Sequence, residues 1–214
     1  MSKKNIFSVL IFFVFIDLAG FSQTAFTAMK NPEAFKTKFN EISESTISIE
    51  NDFIQNKNLS ILAKPIVSEG KFYYKKENKV RWEYSEPYFY LIIIQGNKLY
   101  VKDKNNQKQY DTQSNKMFQE LNKFLVGCIN GDILNKTGNY KIEFKENNEQ
   151  FYVILVPNDP KMKQMLNEIH IYFDKKNYSV VQLKMVEQDG DFTNIEFFNK
   201  KINGNISDEK FNFN

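Results

Sequence analysis

A mainly β (α+β) fold is predicted: an incomplete antiparallel β-barrel, or strongly curved sheet, with helices covering its open mouth. Three observations predict it. Alternation of apolar and polar residues with period two recurs from Ser45 almost to the end of the 214-residue chain. Residues 71–103 hold three strand-like runs in succession, joined by tight turns and crowded with large apolar and aromatic side chains. Apolar stripes at helical spacing are confined to 32–42 and 115–126, with one further short helical turn expected within 128–136.

Asn31-Pro32 reads as an N-cap followed by proline at the first helical position, and Phe35, Phe39 and Ile42 then fall on one helix face. Ile47, Ile49 and Phe53 share a parity opposite Ser48, Glu50 and Asp52. Phe72 and Tyr74 alternate with lysines. Val80, Trp82 and Tyr84 alternate with Arg81, Glu83 and Ser85, with a hairpin turn at Glu77-Asn78. The run 88–94 is apolar on both parities and should be covered on both faces, and Gly96-Asn97 turns it into Leu99 and Val101. Ser114 is an N-cap for a helix carrying Met117, Leu121, Phe124 and Leu125, with Gly127 as its C-cap. Strands follow around Ile142 and Phe144, over 151–156, and around Ile171, Leu183 with Met185, and Ile195. The stretch 157–163 reads as a loop.

About ten alternating strands cannot stay flat, so the sheet must curl or close. Its inward set is Ile47, Ile49, Phe72, Tyr74, Val80, Trp82 and Tyr84, then Ile92, Ile94 and Leu99, and later Ile142, Phe144, Ile171, Leu183 and Met185. Either these side chains fill the interior, or they line a cavity under two lids. Phe35 and Phe39 belong to the first lid; Met117, Phe118, Leu121, Phe124 and Leu125 belong to the second, where Met and Leu can repack around a variable ligand. Periodicity does not separate packed core from cavity.

The N-terminus has the three parts of a secretory signal peptide: Lys3 and Lys4, the apolar run 6–16, and small residues at −1 and −3 of a cut after Ser22. The run is too short for an ordinary membrane span. Residues 1–22 are therefore expected to be a cleaved leader and 23–214 one β domain. Cys128 is the single cysteine and lies mid-chain, so no internal disulfide and no lipid anchor behind the leader are expected. The net charge of +3 comes from interspersed acidic and basic residues, which is no footprint for nucleic acid.

Little in the chain suggests catalysis. His170, the only histidine, sits on the parity opposite Ile169 and Ile171 and is expected to be exposed. No Gly-x-Ser-x-Gly elbow, P-loop or His/Cys cluster occurs. Glu187, Asp189 and Asp191 surround the hairpin signal Asp189-Gly190 and read as a turn rather than a calcium site. The expectation is a binding protein, with no enzyme activity, cofactor or metal.

Gly70, Lys76, Trp82, Pro87, Ile92 to Ile94 and then Gln95-Gly96-Asn97-Lys98-Leu99-Tyr100 follow an order and spacing that resemble the periplasmic lipoprotein carrier family (LolA-type). Phe53-x-Gln55, Val186-Glu187-Gln188-Asp189-Gly190, Asn203-Gly204 and Phe211-Asn212-Phe213 extend the likeness over most of the mature chain. The resemblance implies a soluble periplasmic chaperone, a monomer, which shields lipoprotein acyl chains in a hydrophobic cavity. It would carry them from an inner-membrane lipoprotein release complex to an outer-membrane receptor. It also implies that the basic residue at Lys76 latches the lid; the family usually has arginine there, and lysine loses the planar fork. The family's Tyr-Asp-Pro is Lys102-Asp103-Lys104 here. These departures leave open a related lipid-binding protein with another cargo, such as a glycolipid or pigment precursor. A β-sheet protein without a cavity, binding partners through exposed tyrosines, is the third alternative.

Overall fold

One sheet of twelve strands carries the architecture of the computed structural model, which describes residues 25–111, 127, 132–135 and 138–213. The first strand, β1 (Thr27–Ala28), is followed by helix α1 (Pro32–Ser45) and then by β2 (Ser48–Asn58) and β3 (Ile66–Lys75). Next come β4 (Lys79–Glu86), β5 (Tyr90–Gln95), β6 (Lys98–Asp103) and β7 (Gln107–Asp111). A 3-10 turn at Asp132–Asn135 precedes β8 (Tyr140–Glu146) and β9 (Gln150–Pro157). Helix α2 (Pro160–Met165), β10 (Glu168–Asp174), β11 (Val180–Val186), β12 (Phe192–Ile202) and a 3-10 turn at Asp208–Phe211 complete the chain. The order is β1-β8-β9-β10-β11-β12-β2-β3-β4-β5-β6-β7, with every pair antiparallel. Since β1 and β7 stay unpaired with each other, the sheet is open: a strongly curved, incomplete barrel rather than a closed one.

The concave face holds one core cluster that includes Phe53, Val80, Leu155 and Ile169, with Ile133 and Leu134 of the first 3-10 turn packed into it. Gly127 is buried against Ile133 and is itself helical, so it is not the C-cap that the sequence suggests. The convex face has its own smaller cluster. Leu91 and Ile93 of β5 and Tyr73 of β3 are covered there by Ile206 and Phe211, and Phe213 stacks on Tyr100. Residues 206–213 fold back over the outer side of the sheet and so cover Leu91 and Ile93, while Tyr88, Phe89 and Tyr90, expected to be covered as well, are 83%, 38% and 38% exposed because they lie at and before the start of β5. At the opposite edge Phe26 packs on Tyr152 and Tyr172.

Local chemistry accounts for the helices and turns. Asn31 Oδ1 accepts from Ala34 N at 3.0 Å, and Pro32 opens α1 where its missing N–H costs nothing. Glu77 and Asn78 adopt left-handed backbone in the β3–β4 turn. The region 157–163, expected as a loop, contains the start of α2. Its signal was the same as that of α1: Asp159 Oδ1 accepts from Lys161 N and Met162 N, and Pro160 follows at once. The leader 1–22, Cys128 and the second lid, with Met117, Phe118, Leu121, Phe124 and Leu125, lie outside the described residues.

Candidate functional site

Helix α1 crosses the concave face and is attached to it by aromatic side chains. Phe35 meets the rings of Phe151, Phe173 and Tyr178 at centroid distances of 4.7, 5.3 and 6.0 Å, and Phe39 meets Phe173 at 5.0 Å. The C-terminal half of α1 stands off the sheet and leaves a cavity of about 100 Å³. Its roof is Phe39, Ile42, Ser43 and Thr46. Its floor comes from Ile49 and Asn51 of β2, Phe72 of β3 and Trp82 of β4, and its walls from Ile171, Leu183, Phe197 and the β10–β11 turn at 177–179. Trp82 sits among Phe53, Phe72, Tyr84 and Phe197, each within 6.4 Å centroid to centroid. Neighbouring Tyr84 donates to Gln55 Oε1 at 3.0 Å, and burial pushes its phenol up to about 12.

The corner between α1 and β2 is tied down from two sides. Asn203, in left-handed backbone, accepts from Ile47 N at 2.7 Å and donates to Ser45 O at 3.2 Å, while Ser48 Oγ donates to Gly204 O at 2.6 Å. Lys76 Nζ donates to Glu44 O at 2.8 Å, placing a cation at the carbonyl end of α1, where the helix dipole favours it.

Of the inward set, Ile49, Phe72, Trp82, Ile171 and Leu183 line the cavity. Tyr74, Val80, Ile94 and Leu99 are buried in the concave core, and Tyr84, Ile92, Ile142, Phe144 and Met185 pack against it. Ile47 does not join them. It precedes the first rung of β2, lies beyond the end of the barrel and is 52% exposed. His170 corrects the expectation of an exposed histidine: its side chain is only 13% exposed. The convex face above it is covered by the stacked Tyr152 and Tyr172, and burial lowers the imidazole pKa despite the opposing pull of Glu168. Tyr152 Oη lies 2.5 Å from Nδ1, and Nε2 lies 2.8 Å from Glu168 Oε2, so the neutral Nε2–H tautomer satisfies both contacts. This chain of bonds lies on the face away from the cavity. Asp191 Oδ1 accepts from Ser60 N at 2.6 Å and Asp189 Oδ1 from Asp191 N, so the acidic cluster ties turns together. Among the described residues no three His, Cys, Asp or Glu side chains could hold a metal, and no helix is long and apolar enough to cross a membrane.

Among the polar members of the lining that sequence reasoning missed, Asn51 and Lys200 stand out. Asn51 is 5% exposed and its Oδ1 has no hydrogen-bond partner. Lys200 donates to Val180 O at 2.5 Å, and burial pushes its ammonium from 10.5 down to about 8. A lowered base pKa penalises folding while the group is charged in both states, below about pH 8. The penalty is relieved as pH rises toward 10.5, because there the unfolded chain binds the proton and the folded one does not. A displacement from 10.5 to about 8 corresponds to about 3 kcal/mol. Urea unfolding of wild type and Lys200→Met between pH 7 and 10.5 is expected to show a rise in wild-type stability that the variant lacks. Parallel curves would contradict the burial of the ammonium.

Comparison with known proteins comes from three directions. The family model described as outer membrane lipoprotein carrier protein LolA matches residues 44–214. An outer-membrane lipoprotein carrier protein of Chromohalobacter salexigens is 23% identical over 146 residues; the match covers 68% of this chain and spans 66% of that protein's length. An uncharacterized conserved protein from Thermus thermophilus shares the fold at TM-score 0.53 and 7% identity, over 82% of this chain and 91% of that one. The Pseudomonas aeruginosa MucA/MucB complex contains a chain similar at TM-score 0.52 and 10% identity, over 86% of this chain and 61% of the other.

Proposed function

We propose, because this chain belongs to the outer membrane lipoprotein carrier (LolA) family, that it takes lipoprotein acyl chains into the cavity beneath α1 and carries them through the periplasm. Residues 1–22 direct export and are removed; an inner-membrane release complex loads the carrier and an outer-membrane receptor unloads it. The observation that carries this reading is the apolar space between α1 and the curved sheet. One long acyl chain left in water costs on the order of 10 kcal/mol, at roughly 0.8 kcal/mol per methylene. A carrier must cover that surface and still release it.

The cavity volume supports a roof that moves. About 100 Å³ is less than the roughly 150 Å³ that accommodates benzene, so a long chain enters only if the roof lifts. Helix α1 is the roof. It adds no strand to the sheet, and it is held by Phe35, Phe39 and the Lys76 hydrogen bond. Exposing Phe39 and Ile42 costs roughly 1.5–3 kcal/mol each, less than one buried acyl chain returns. Lys76 is the latch, through the bond of its ammonium to Glu44 O.

Trp82 is the only tryptophan and lines the cavity, so its fluorescence reports occupancy. Acyl chains brominated along the tail are expected to quench it at stoichiometric ratios, and Lys76→Met to speed the onset of quenching. Unchanged Trp82 emission at saturating brominated lipid would sink the reading. A second reading, the same fold with another cargo, is favoured by lysine at position 76 and by Lys102-Asp103-Lys104, where Asp103 Oδ1 accepts from Asn105 N and Asn106 N to close the β6–β7 turn. Rescue of a carrier-depleted strain by this chain separates the two.

A further inference from the structure

Strand β12 contains a change of phase that turns a cation into the cavity. Ile195 and Phe197 point to the concave side, so strict alternation would send Lys200 outward. The pairing with β2 slips by one residue between Phe198↔Asp52 and Lys201↔Glu50. Asn199 and Lys200 together therefore face Asn51. Asn199 takes up the extra residue with φ of 50°, a left-handed backbone that costs a non-glycine residue energy, and its amide turns outward to Asp52 Oδ2 at 2.8 Å. Beyond the bulge the parity is inverted, and Lys200 and Ile202 line the cavity.

The cation so placed has no counter-ion among the described residues. Lys200 Nζ has one hydrogen bond, to Val180 O, and the carboxylate that acts on it, Asp174, does so without forming an ion pair. An ammonium has three protons to donate. On the rung beside it the Asn51 side chain is buried with its oxygen unbonded. Much of the surrounding wall is hydrocarbon, from Ile49, Phe72, Val180, Phe197 and Ile202, with the uncharged polar residues Ser43, Thr46, Asn177 and Ser179 at the roof and the β10–β11 turn. A half-buried cation is costly unless something pairs with it. In an apolar pocket a few placed polar groups fix which end of a ligand goes where.

We propose that Lys200, with Asn51 beside it, forms a headgroup site for an oxyanion, so that the cavity prefers amphiphiles bearing a carboxylate or phosphate ester at the end of an acyl chain. This inference rests on the cavity beneath α1 being a lipid site, and it favours the second reading, another cargo, because acyl groups held as esters or amides carry no free oxyanion. The tail lies against the aromatic floor and the oxyanion accepts from the Lys200 ammonium. The bulge at Asn199 is the device that keeps Lys200 inside.

The test compares ligands that differ only in charge. Oleic acid is set against methyl oleate, and oleoyl lysophosphatidic acid against mono-oleoyl glycerol, each titrated below its micelle concentration at pH 7 and read by Trp82 fluorescence and calorimetry. Wild-type protein is expected to bind the charged member of at least one pair about tenfold more tightly than the neutral one, the scale of a charge-assisted hydrogen bond. Whichever pair shows it identifies the oxyanion as carboxylate or phosphate. Lys200→Met is expected to bring the charged ligand to the level of its neutral partner, and Lys200→Arg to keep a preference for charge. Equal wild-type affinity within both pairs overturns the headgroup site and leaves the carrier reading standing. A preference that survives in Lys200→Met also overturns it. If neither member of either pair binds wild type, the cavity is not a lipid site and both conclusions fall.

Discussion

Phe35→Ala is expected to lower stability by about 3–5 kcal/mol, the range for removing a fully buried phenylalanine. Phe35 is 2% exposed and is the hub of the α1 contact, touching Phe39, Phe144, Phe151, Phe173 and Tyr178. Its loss removes ring contacts on several sides at once, and the strands that carry the surrounding rings cannot close around the space. Phe39 and hydrogen bonds at the ends of the helix also hold α1. Denaturant unfolding gives the total loss. Amide exchange over 33–45 shows where it falls, since a lid that detaches should lose protection there before the sheet does. A loss below about 1 kcal/mol, or uniform loss of protection, would show that α1 is not held by this cluster.

Gly70→Ala is expected to cost about 1–3 kcal/mol or more, because the added methyl has nowhere to go. An alanine Cβ at this position would lie 2.0 Å from the backbone oxygen of Glu83 and 2.7 Å from Phe53 Cζ. The oxygen belongs to β4, and Phe53 is fully buried between Trp82 and Tyr84. Only a shift of β3 against β4 makes room, at the point where their register already slips between Glu69 and Gly70. That shift would move Trp82, so the variant should show altered native emission as well as an earlier urea midpoint. Wild-type stability in Gly70→Ala would mean that the two strands do not cross as closely as described.

Both substitutions fall where local pattern and tertiary contact coincide. The Phe35–Phe39 stripe was legible from helical spacing, and its cap from Asn31-Pro32. The alternation at Val80, Trp82 and Tyr84 announced the concave face. Apolar residues on both parities announced a second cover, which holds for 91–94, where Phe211 provides it, and not for the exposed Tyr88, Phe89 and Tyr90. The same local rule read Asp159-Pro160 as loop, because six residues of helix carry too little periodicity to be seen. The parity of His170 is legible in the sequence, but its burial depends on Tyr152 of the neighbouring strand β9.

The amino-acid order alone therefore determined ten of the twelve strands, the need for the sheet to curl or close, the first helix and the family likeness, while the edge strands β1 (Thr27–Ala28) and β7 (Gln107–Asp111) show no alternation by which to read them. The inward turn of Lys200, the outward position of Ile47 and the size of the space under α1 were decided only in three dimensions. Each depends on how β12, β2 and α1 meet, and Asn199 bonds Asp52 across 147 residues of chain. A one-residue slip in that pairing inverts every side chain beyond it, and no pattern within β12 itself encodes the slip.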